Sequence, residues 1–391
     1  MLIYLVLFLG VLLTSLLDLI RPLSKDTRRS LFMFWFLCFF ILKAFRWDTG
    51  TDWSQYLLCF NDSKWSNIFS YYRNMYGDVK MEPGYVFLNV LVNSLFPFYT
   101  AFLIITNLFI LITYTKFYNG IFPRYCLQSF TLFVFVTELF PVRQSLAVAI
   151  FCFAYYQIKN KSFTKYLGIV LICSMIHYSS LLLIPFYFLL KLKSHLFYYT
   201  LIYIFVGIIS DKLFDIIGLL SQLNNLPSFI RKLFIVYGDQ DMRINRLGDS
   251  AGSFWPSYIF HYSLFLIIYF CYSKKTKNET DSLIEWKRIG LNSYFITICF
   301  ISFHSIPGSA DLLRIQSFFW IGYILMNVYS LDILVKYKKQ WIAVALLMIV
   351  CLWKMVNMGV FKPKSLYHDL FVPYKSIMDI NDKQRSGEYY R

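Results

Sequence analysis

The sequence predicts an all-α, polytopic membrane protein, and its composition and the distribution of its apolar residues carry this prediction. Hydrophobic residues make up 58% of the 391 residues and charged residues only 15%, whereas soluble domains average roughly 45–50% and about 25%. The apolar residues lie in long blocks, so the bilayer is the expected solvent. The formal net charge of +16 lies in the loops between these blocks, which indicates positive-inside topology rather than nucleic-acid binding.

The longest apolar blocks match the roughly 20 residues that a helix needs to cross a bilayer. The first block lacks a basic start and a small-residue cleavage site, and a second block follows it. It therefore predicts a retained helix rather than a cleavable signal peptide. The strongest predicted spans are, in chain order, 2–20, 30–45, 98–115, 120–137, 197–217, 254–272, 289–305, 312–330 and 341–357.

Two further blocks bring the prediction to about 12 crossings. Residues 144–158 are shorter but continuously apolar. Residues 164–190 form one long block that His177 and Pro185 interrupt, which predicts two short helices meeting near His177. The block 85–96 is too short to cross, and it predicts a re-entrant or interfacial helix buried among the others.

The charge of the loops predicts the orientation. When the basic loop 21–29 is placed in the cytoplasm, the loops on its side carry a large basic excess, whereas the opposite loops and the tail are nearly balanced. Both termini then lie outside the cytoplasm. The chain is predicted to be one integral membrane domain, 1–391, with outer loops 46–84 and 211–253. An outer tail, 358–391, is expected to fold over the same face.

Polar residues from five separate stretches of chain collect at the predicted outer membrane–water boundary. Each has a plain structural interpretation, because an arginine at a helix end can snorkel and a buried histidine can be a hydrogen-bonded core residue. Inside a membrane, however, an ionisable side chain is a functional candidate. The candidates are Arg46, Asp48, Asp52, Glu82, Arg143, Gln144, His177, Asp311 and Arg314.

Two structural interpretations stay open beside the functional one. Asp48 and Asp52 could cap a helix that begins near Trp53. Asp311 and Arg314 stand at positions i and i+3 of a predicted span and could form a simple ion pair. Neither role excludes a second one in a site.

Taken together, these residue types favour an anion site at the membrane surface. The guanidinium fork of arginine matches phosphate oxygens bidentately, and a nearby histidine or carboxylate can accept a proton from an attacking hydroxyl. This chemistry suits group transfer from a lipid-linked phosphate or pyrophosphate donor. The sequence contains no Walker P-loop, no HExxH pattern and no His/Cys ligand cluster, so neither ATP-driven transport nor a metal cofactor is expected.

Several short motifs follow one another along the chain. They are Arg46 with Gly50-Thr51-Asp52-Trp53 and Tyr56, Glu82-Pro83-Gly84-Tyr85, Pro141-Val142-Arg143-Gln144, His177-Tyr178-Ser179, Asp311-Leu312-Leu313-Arg314-Ile315 and Val372-Pro373-Tyr374-Lys375. In this order the motifs resemble those of the EpsG/Wzy group of bacterial polysaccharide polymerases. The stretch 311–315 departs from the family form, which has a more acidic run directly before the arginine and Tyr-Phe after it, whereas this sequence continues with Ile315-Gln316-Ser317-Phe318-Phe319.

The resemblance implies a glycosyltransferase with a fold similar to the GT-C class. Such proteins join oligosaccharide repeat units carried on undecaprenyl pyrophosphate at the outer face of the bacterial inner membrane, without nucleotide sugar, metal or other cofactor. Their products are O-antigen, capsule or exopolysaccharide chains. A flippase and a chain-length regulator are expected as partners by analogy, beside membrane lipid. No nucleic-acid partner is expected.

Within this interpretation, each candidate residue receives an expected role. Arginines aimed at the leaving pyrophosphate should lower the barrier, because negative charge builds there as it departs. The expected pyrophosphate-binding residues are Arg143 and Arg314, with Arg46 as a third. The expected catalytic groups are Asp52 and His177, with Glu82 behind them. Asp48, Gln144 and Asp311 are expected to contact the substrate elsewhere.

Three competing classes of protein stay open. A flippase for the same lipid-linked units would show two similar halves, which this sequence does not. A membrane O-acyltransferase that modifies sugars would use a histidine such as His177 to deprotonate a sugar hydroxyl. A GT-C enzyme could instead add single sugars from polyprenyl-phosphate donors. The length of the product separates these classes from a polymerase.

Overall fold

The computed structural model describes residues 1–50, 53–73, 79–221, 254–274, 280–302, 310–361 and 368–379. Its regular structure is helical except for four strands of two residues each. The helices are α1 (Leu2–Ile20), α2 (Lys25–Ala44), α3 (Trp53–Asp62), α4 (Pro83–Leu95), α5 (Tyr99–Ile121), α6 (Cys126–Val136), α7 (Val142–Lys159), α8 (Phe163–Ser174), α9 (Phe186–Leu189), α10 (Leu196–Ser221), α11 (Phe254–Ser273), α12 (Asp281–Ser302), α13 (Ala310–Lys336) and α14 (Gln340–Asn357). The strands are β1 (Arg46–Trp47), β2 (Tyr72–Arg73), β3 (Val79–Lys80) and β4 (Lys375–Ser376).

The chain divides into two compact units. The first contains Met1–Ile184 and Asn327–Arg391, and the second contains Pro185–Met326. In the first unit β1 pairs with β4 and β2 pairs with β3, both antiparallel. The prediction of a single membrane domain stays a prediction.

Four helices in the described part of the chain are long and apolar enough to cross a membrane. They are Leu2–Ile20, Tyr99–Ile121, Arg314–Lys336 and Gln340–Asn357. Shorter apolar helices accompany them at Pro83–Leu95, Phe163–Ser174 and Leu196–Ile209. These helices agree with an all-α, multi-pass membrane protein, whereas the predicted number of 12 crossings stays a prediction.

The prediction of one helix over 120–137 is wrong at its start. Helix α5 continues to Ile121, a 3₁₀ turn follows at Pro123–Tyr125, and α6 covers only Cys126–Val136. The physical reason is Pro123, which lacks a backbone N–H and so cannot continue the hydrogen bonding of α5. It starts the 3₁₀ turn instead.

The prediction of two short helices that meet near His177 in 164–190 is confirmed for the interruption and for the first helix, whereas the second segment is mostly 3₁₀. Helix α8 ends at Ser174, and the backbone of His177 is extended. A 3₁₀ helix, Tyr178–Leu183, follows, and only one α-helical turn, α9, comes after Pro185. Pro185 again removes a donor that an α-helix would need.

The core of the first unit is aromatic. Phe8 of α1 is fully buried and packs edge-on against Phe39 at 5.6 Å and Phe135 at 4.9 Å, measured between ring centroids. Such edge-to-face pairs stabilise a packed core beyond the area that they bury. Helices α1, α2 and α6 are therefore held together where the chain first folds back on itself.

The helices of the second unit are held together by stacked tyrosines and by a buried amide. The ring of Tyr203 stacks between Tyr258 and Tyr262, with centroids 4.2 and 4.7 Å away. The Asn292 amide donates to the carbonyls of Leu190 and Leu192, at 2.9 and 2.8 Å. These carbonyls lie between α9 and α10, where no helix satisfies them.

A buried carboxylate joins α1, the start of α2 and the start of α6. Asp18 is fully buried and accepts hydrogen bonds from Arg28 Nε, at 3.1 and 3.2 Å, and from Arg124 Nη1, at 2.7 Å. It also accepts from the Gln128 side chain at 3.1 Å and from the backbone N–H of Leu23 at 3.0 Å. Every lone pair of the carboxylate is thereby used, which is what a buried charge requires.

Removal of the Asp18 charge should destabilise the protein strongly. Asp18→Asn leaves two arginines without their carboxylate, and breaking a buried ion pair in this way costs about 3 kcal/mol or more. We expect a clearly lower midpoint temperature of thermal unfolding for the purified variant in detergent. Asp26→Asn, which changes an exposed acidic residue of the same region, is the control and should have no effect. Equal stability of the two variants would contradict the structural role of Asp18.

Candidate functional site

The candidate site of the first unit is centred on Glu82, the residue before α4. Its side chain is buried, with 3% of the residue exposed. The position is that of a helix N-cap, and Pro83 follows as the first helical residue. The carboxylate nevertheless makes no hydrogen bond to the helix that it precedes. It points instead to three groups from other parts of the chain.

The N-terminus of α4 is hydrogen-bonded to the backbone at the end of α8, where the helix is interrupted. Because α8 ends at Ser174, the carbonyl of Met175 has no helical partner. It accepts hydrogen bonds from the backbone N–H groups of Gly84, at 2.8 Å, and Tyr85, at 3.2 Å. Each helix end thus satisfies the other, and Glu82 is held beside the residues that follow the break.

Gly84 is required by this close approach. A Cβ atom at this position would lie 2.7 Å from the Met175 carbonyl oxygen and 2.8 Å from the Met175 Cβ. No other residue type fits without moving one backbone away from the other. The Glu-Pro-Gly-Tyr motif therefore describes a contact between two helix ends rather than an ordinary turn.

Arg143 contacts one oxygen of the Glu82 carboxylate. Its Nη1 lies 2.6 Å from Glu82 Oε2 and 3.6 Å from the Met81 sulfur, and its guanidinium carbon lies 6.0 Å from the centre of the Tyr56 ring. Nη1 makes both hydrogen bonds that this guanidinium forms with the described residues. The Nε and Nη2 groups are thus available for an anion that arginine can hold bidentately.

The other carboxylate oxygen faces the segment after the helix break. Glu82 Oε1 accepts a hydrogen bond from the Tyr178 backbone N–H at 3.1 Å. His177 Nδ1 lies 3.6 Å from the same oxygen, just beyond hydrogen-bond distance, and has no hydrogen-bond partner among the described residues. The imidazole is buried, and this ring nitrogen faces the carboxylate.

These neighbours keep Glu82 ionised although it is buried. Burial by itself raises the pKa of a carboxyl group, but the His177 imidazole, the Arg143 charge and the Tyr178 N–H outweigh it, so the pKa of Glu82 lies below its usual value. A carboxylate of this kind is a weak base. It is better suited to holding charged and polar groups in place than to accepting a proton.

A second cluster surrounds Arg46, which is buried with 2% of the residue exposed. Its guanidinium carbon lies 4.6 Å from the Phe140 ring centre and 5.4 Å from that of Trp53. Nη1 donates to the Thr49 carbonyl at 3.4 Å, and Nε has no hydrogen-bond partner among the residues that the structure places. Burial is the main reason why the pKa of Arg46 falls below its usual value.

Residues 368–379 of the tail pack against this second cluster, whereas the prediction that the tail lies on the outer face stays a prediction. Strand β4 pairs with β1, and the N–H of Gly50 donates to the Leu370 carbonyl at 2.6 Å. Gly50 has a φ of +100°, a conformation that favours glycine. Lys375 Nζ lies 3.4 Å from Asp48 Oδ2.

A short stretch of chain connects the two clusters. Phe140 packs on Arg46, and Arg143, three residues later, reaches Glu82. Tyr56 lies near both, because its ring is close to Arg143 and it also contributes to the electrostatic surroundings of Arg46. Both clusters therefore belong to one region of the first unit.

The structure brings together part of the predicted site. Glu82 contacts Arg143 and lies 3.6 Å from His177, while Arg46 and Asp48 belong to the neighbouring part of the first unit, near β1. Gln144 is half-buried in the first turn of α7. The Asp48 carboxylate lies 3.4 Å from Lys375 Nζ, and its interpretation as a helix cap stays open.

Other predicted positions are not tested in the same way. Asp52 lies outside the described residues, as does the side chain of Asp311. Arg314 is an exposed residue of α13 in the second unit. Of the predicted outer loop 211–253, residues 211–221 belong to α10, and residues 222–253 lie outside the described residues.

Sequence reasoning missed the backbone groups of the site. The Met175 carbonyl and the Tyr178 N–H both depend on where α8 ends. Gly84 was a usable signal for the contact with Met175, because a glycine directly after a helix-starting proline is compatible with a close approach of another backbone. In the described part of the chain, no three His, Cys, Asp or Glu side chains are grouped so that they could hold a metal ion.

The long apolar helices and the buried ionic cluster define a multi-pass membrane protein with a polar site. A family model described as the EpsG family matches residues 29–376, so the chain belongs to the EpsG family. Membership of this family suggests a role in exopolysaccharide synthesis. No curated protein and no solved structure matches the chain.

Gly84→Ala should disturb the site, because the new methyl group meets the Met175 backbone. Overpacking of this kind costs about 1–3 kcal/mol, and we expect a corresponding loss in thermal stability in detergent. Gly168→Ala is the matched control, since nothing lies within 4 Å of its Cβ position and Gly168 is inside α8. It should be neutral or stabilising by about 0.5–1 kcal/mol. Equal stability of both variants would show that the contact at Gly84 is looser than described.

The ionised form of Glu82 should add a pH-dependent part to the stability. Because its pKa is lower in the folded state, this part is complete above the usual carboxyl pKa and disappears as the pH falls through the folded value. Glu82→Gln should therefore be less stable than the parent protein at neutral pH, and the difference should shrink in acid. Thermal unfolding of both proteins over an acidic to neutral pH series measures this. A constant difference would contradict it.

Proposed function

We propose that this protein is a polysaccharide polymerase that joins undecaprenyl-pyrophosphate-linked oligosaccharide units at the outer face of the bacterial inner membrane. The observation that supports the proposal is the position of Glu82 beside both Arg143 and His177, because a guanidinium suits a pyrophosphate and an imidazole suits proton transfer. The EpsG family membership supports the same substrate class. A GT-C-like fold, with both termini outside the cytoplasm, is part of the proposal.

The reaction joins two lipid-linked sugars. A hydroxyl oxygen of the acceptor forms a bond to the anomeric carbon of the donor, while the bond from that carbon to the donor pyrophosphate oxygen breaks. The hydroxyl proton goes to a base of the protein, and the pyrophosphate leaves on its lipid. No nucleotide sugar is consumed.

The arginines carry the electrostatic part of the mechanism. Charge develops on the leaving pyrophosphate, and fixed donors aimed at it lower the barrier. Arg143 is suited to this role because Glu82 fixes Nη1 and leaves the other N–H groups for the anion. Arg46 and Arg314 are proposed as further pyrophosphate ligands, and Asp48, Gln144 and Asp311 as contacts to the remainder of the substrate.

The proton acceptor is proposed to be His177 or Asp52. His177 Nδ1 faces Glu82, so Nε2 is proposed to accept a proton from a sugar hydroxyl. Glu82 is the weaker candidate, because its pKa is lowered and both of its oxygens already have partners. This assignment changes the expected role of Glu82 from base to support.

Reconstitution tests the proposal. The purified protein is mixed with undecaprenyl-pyrophosphate-linked repeat units from the parent organism, without nucleotide sugar, and the products are separated by size. We expect a ladder of polymers whose rate falls about 10²–10³-fold in Arg143→Ala, as for loss of a well-placed charge donor. Arg21→Ala, which removes an exposed arginine at the end of α1, is the control and should retain the ladder.

Two further outcomes decide the details. Arg143→Lys should fail nearly as severely as Arg143→Ala if bidentate binding matters, since lysine offers a point charge only. Near-normal polymer from Arg143→Lys would overturn the bidentate role. Transport of labelled lipid across vesicles without any ladder would overturn the polymerase and favour a flippase. A product with one added sugar would favour a single-sugar transferase, and one with an added acyl group would favour an O-acyltransferase.

A further inference from the structure

The Glu82 carboxylate has the features of a support rather than of a reacting group. It is buried, and its two oxygens face different elements of the first unit. Oε2 is 2.6 Å from Arg143 Nη1 on α7, while Oε1 is 3.1 Å from the Tyr178 N–H and 3.6 Å from His177 Nδ1, both after α8. One carboxylate therefore connects two helices that each supply a candidate functional side chain.

The backbone around Glu82 is fixed independently of these side-chain contacts. The N–H groups of Gly84 and Tyr85 bond to the Met175 carbonyl, so the start of α4 keeps a constant distance from the end of α8. Pro83 restricts the backbone between the carboxylate and this contact. The carboxylate is thus held in place by its own main chain before it binds Arg143 or His177.

A fixed carboxylate beside one ring nitrogen controls which nitrogen of a histidine carries the proton. A neutral imidazole that faces an acceptor at Nδ1 places its proton there, and its Nε2 then has a lone pair. The same carboxylate holds Arg143 through Nη1 alone. His177 then offers Nε2 to a substrate, and Arg143 offers its Nε and Nη2 groups.

We propose that Glu82 is a positioning residue that sets the Nδ1–H tautomer of His177 and the orientation of the Arg143 guanidinium. This inference rests on the proposed function for its catalytic meaning, whereas the tautomer itself is a property of the protein without substrate. In the reaction, Nε2 of His177 accepts the acceptor hydroxyl proton. Glu82 does not take up a proton at any step.

Nitrogen NMR of the full-length protein, labelled with ¹⁵N-histidine, tests the tautomer without substrate. The sequence contains five histidines, and the His177→Asn variant identifies the signals of His177. For the neutral form of the imidazole, which nitrogen shifts distinguish from the cation, we expect a protonated Nδ1 and an unprotonated Nε2. A proton on Nε2 in the parent protein would overturn the proposal.

Two variants of Glu82 and one control show whether the acceptor at position 82 determines the tautomer of His177. Glu82→Gln retains an oxygen acceptor and should keep the Nδ1–H tautomer. Glu82→Leu, which has a similar size but no acceptor, should move the proton of His177 to Nε2. Asp369→Asn changes an exposed acidic residue in the tail and should leave the His177 signals unchanged. An Nδ1–H tautomer that persists in Glu82→Leu would overturn the proposal.

The polymer assay then separates positioning from a purely structural role. Two residues that act as a unit lose little more together than the more damaging change loses alone. We expect Glu82→Leu added to His177→Asn to slow polymer formation by less than about tenfold beyond the slower single variant. Fully multiplicative losses would overturn a role that acts through His177.

The combined outcomes distinguish the two proposals. A ladder that depends on Arg143, together with a tautomer indifferent to Glu82, would remove the positioning role and leave the polymerase standing. The expected tautomer shift without any ladder would leave the Glu82–His177 contact standing and remove the polymerase. Thermal unfolding of each variant identifies any that fails to fold. If Glu82→Leu does not fold, the tautomer of His177 in the parent protein still tests the proposal, because a proton on Nε2 would overturn it.

Discussion

The arrangement of the site depends on one backbone interaction, the bonding of the Met175 carbonyl to the N–H groups of Gly84 and Tyr85. An interrupted helix in an apolar environment leaves carbonyls without partners, and the start of another helix leaves N–H groups without partners. Here the Met175 carbonyl and the N–H groups of α4 satisfy each other. The polar side chains that follow α8 are consequently placed beside the carboxylate that precedes α4. The same hydrogen bonds that satisfy the two helix ends therefore position the polar site.

The two buried carboxylates of the first unit illustrate different uses of the same physical rule. Asp18 is surrounded by two arginines, an amide and a backbone N–H, and its partners are consumed in holding helices together. Glu82 likewise has its oxygens occupied, but Arg143 contributes only Nη1 to it. A closed network stabilises a fold, whereas a network that leaves hydrogen-bonding groups at its edge can bind a ligand.

The sequence predicted the fold class and the three side chains of the Glu82 cluster, because composition and ionisable residues in apolar surroundings are local signals. It failed where the outcome depends on distant or backbone partners. Apolar blocks did not distinguish an α-helix from the 3₁₀ helix Tyr178–Leu183, since both suit the same composition. The pairing of β1 with β4 was likewise invisible, because two-residue strands carry no periodic pattern and their partners lie at opposite ends of the chain.

The pairing of β1 with β4 has a consequence for how the protein is made. The hydroxyl of Tyr4 donates to the carbonyl of Phe371, and β1 finds its partner at Lys375–Ser376, so the first and last parts of the chain are joined. A ribosome synthesises Arg46 long before it synthesises the tail. The surroundings of Arg46 are therefore completed only after α14 has been synthesised, and a chain that stops early carries all of its long apolar helices but an unfinished cluster.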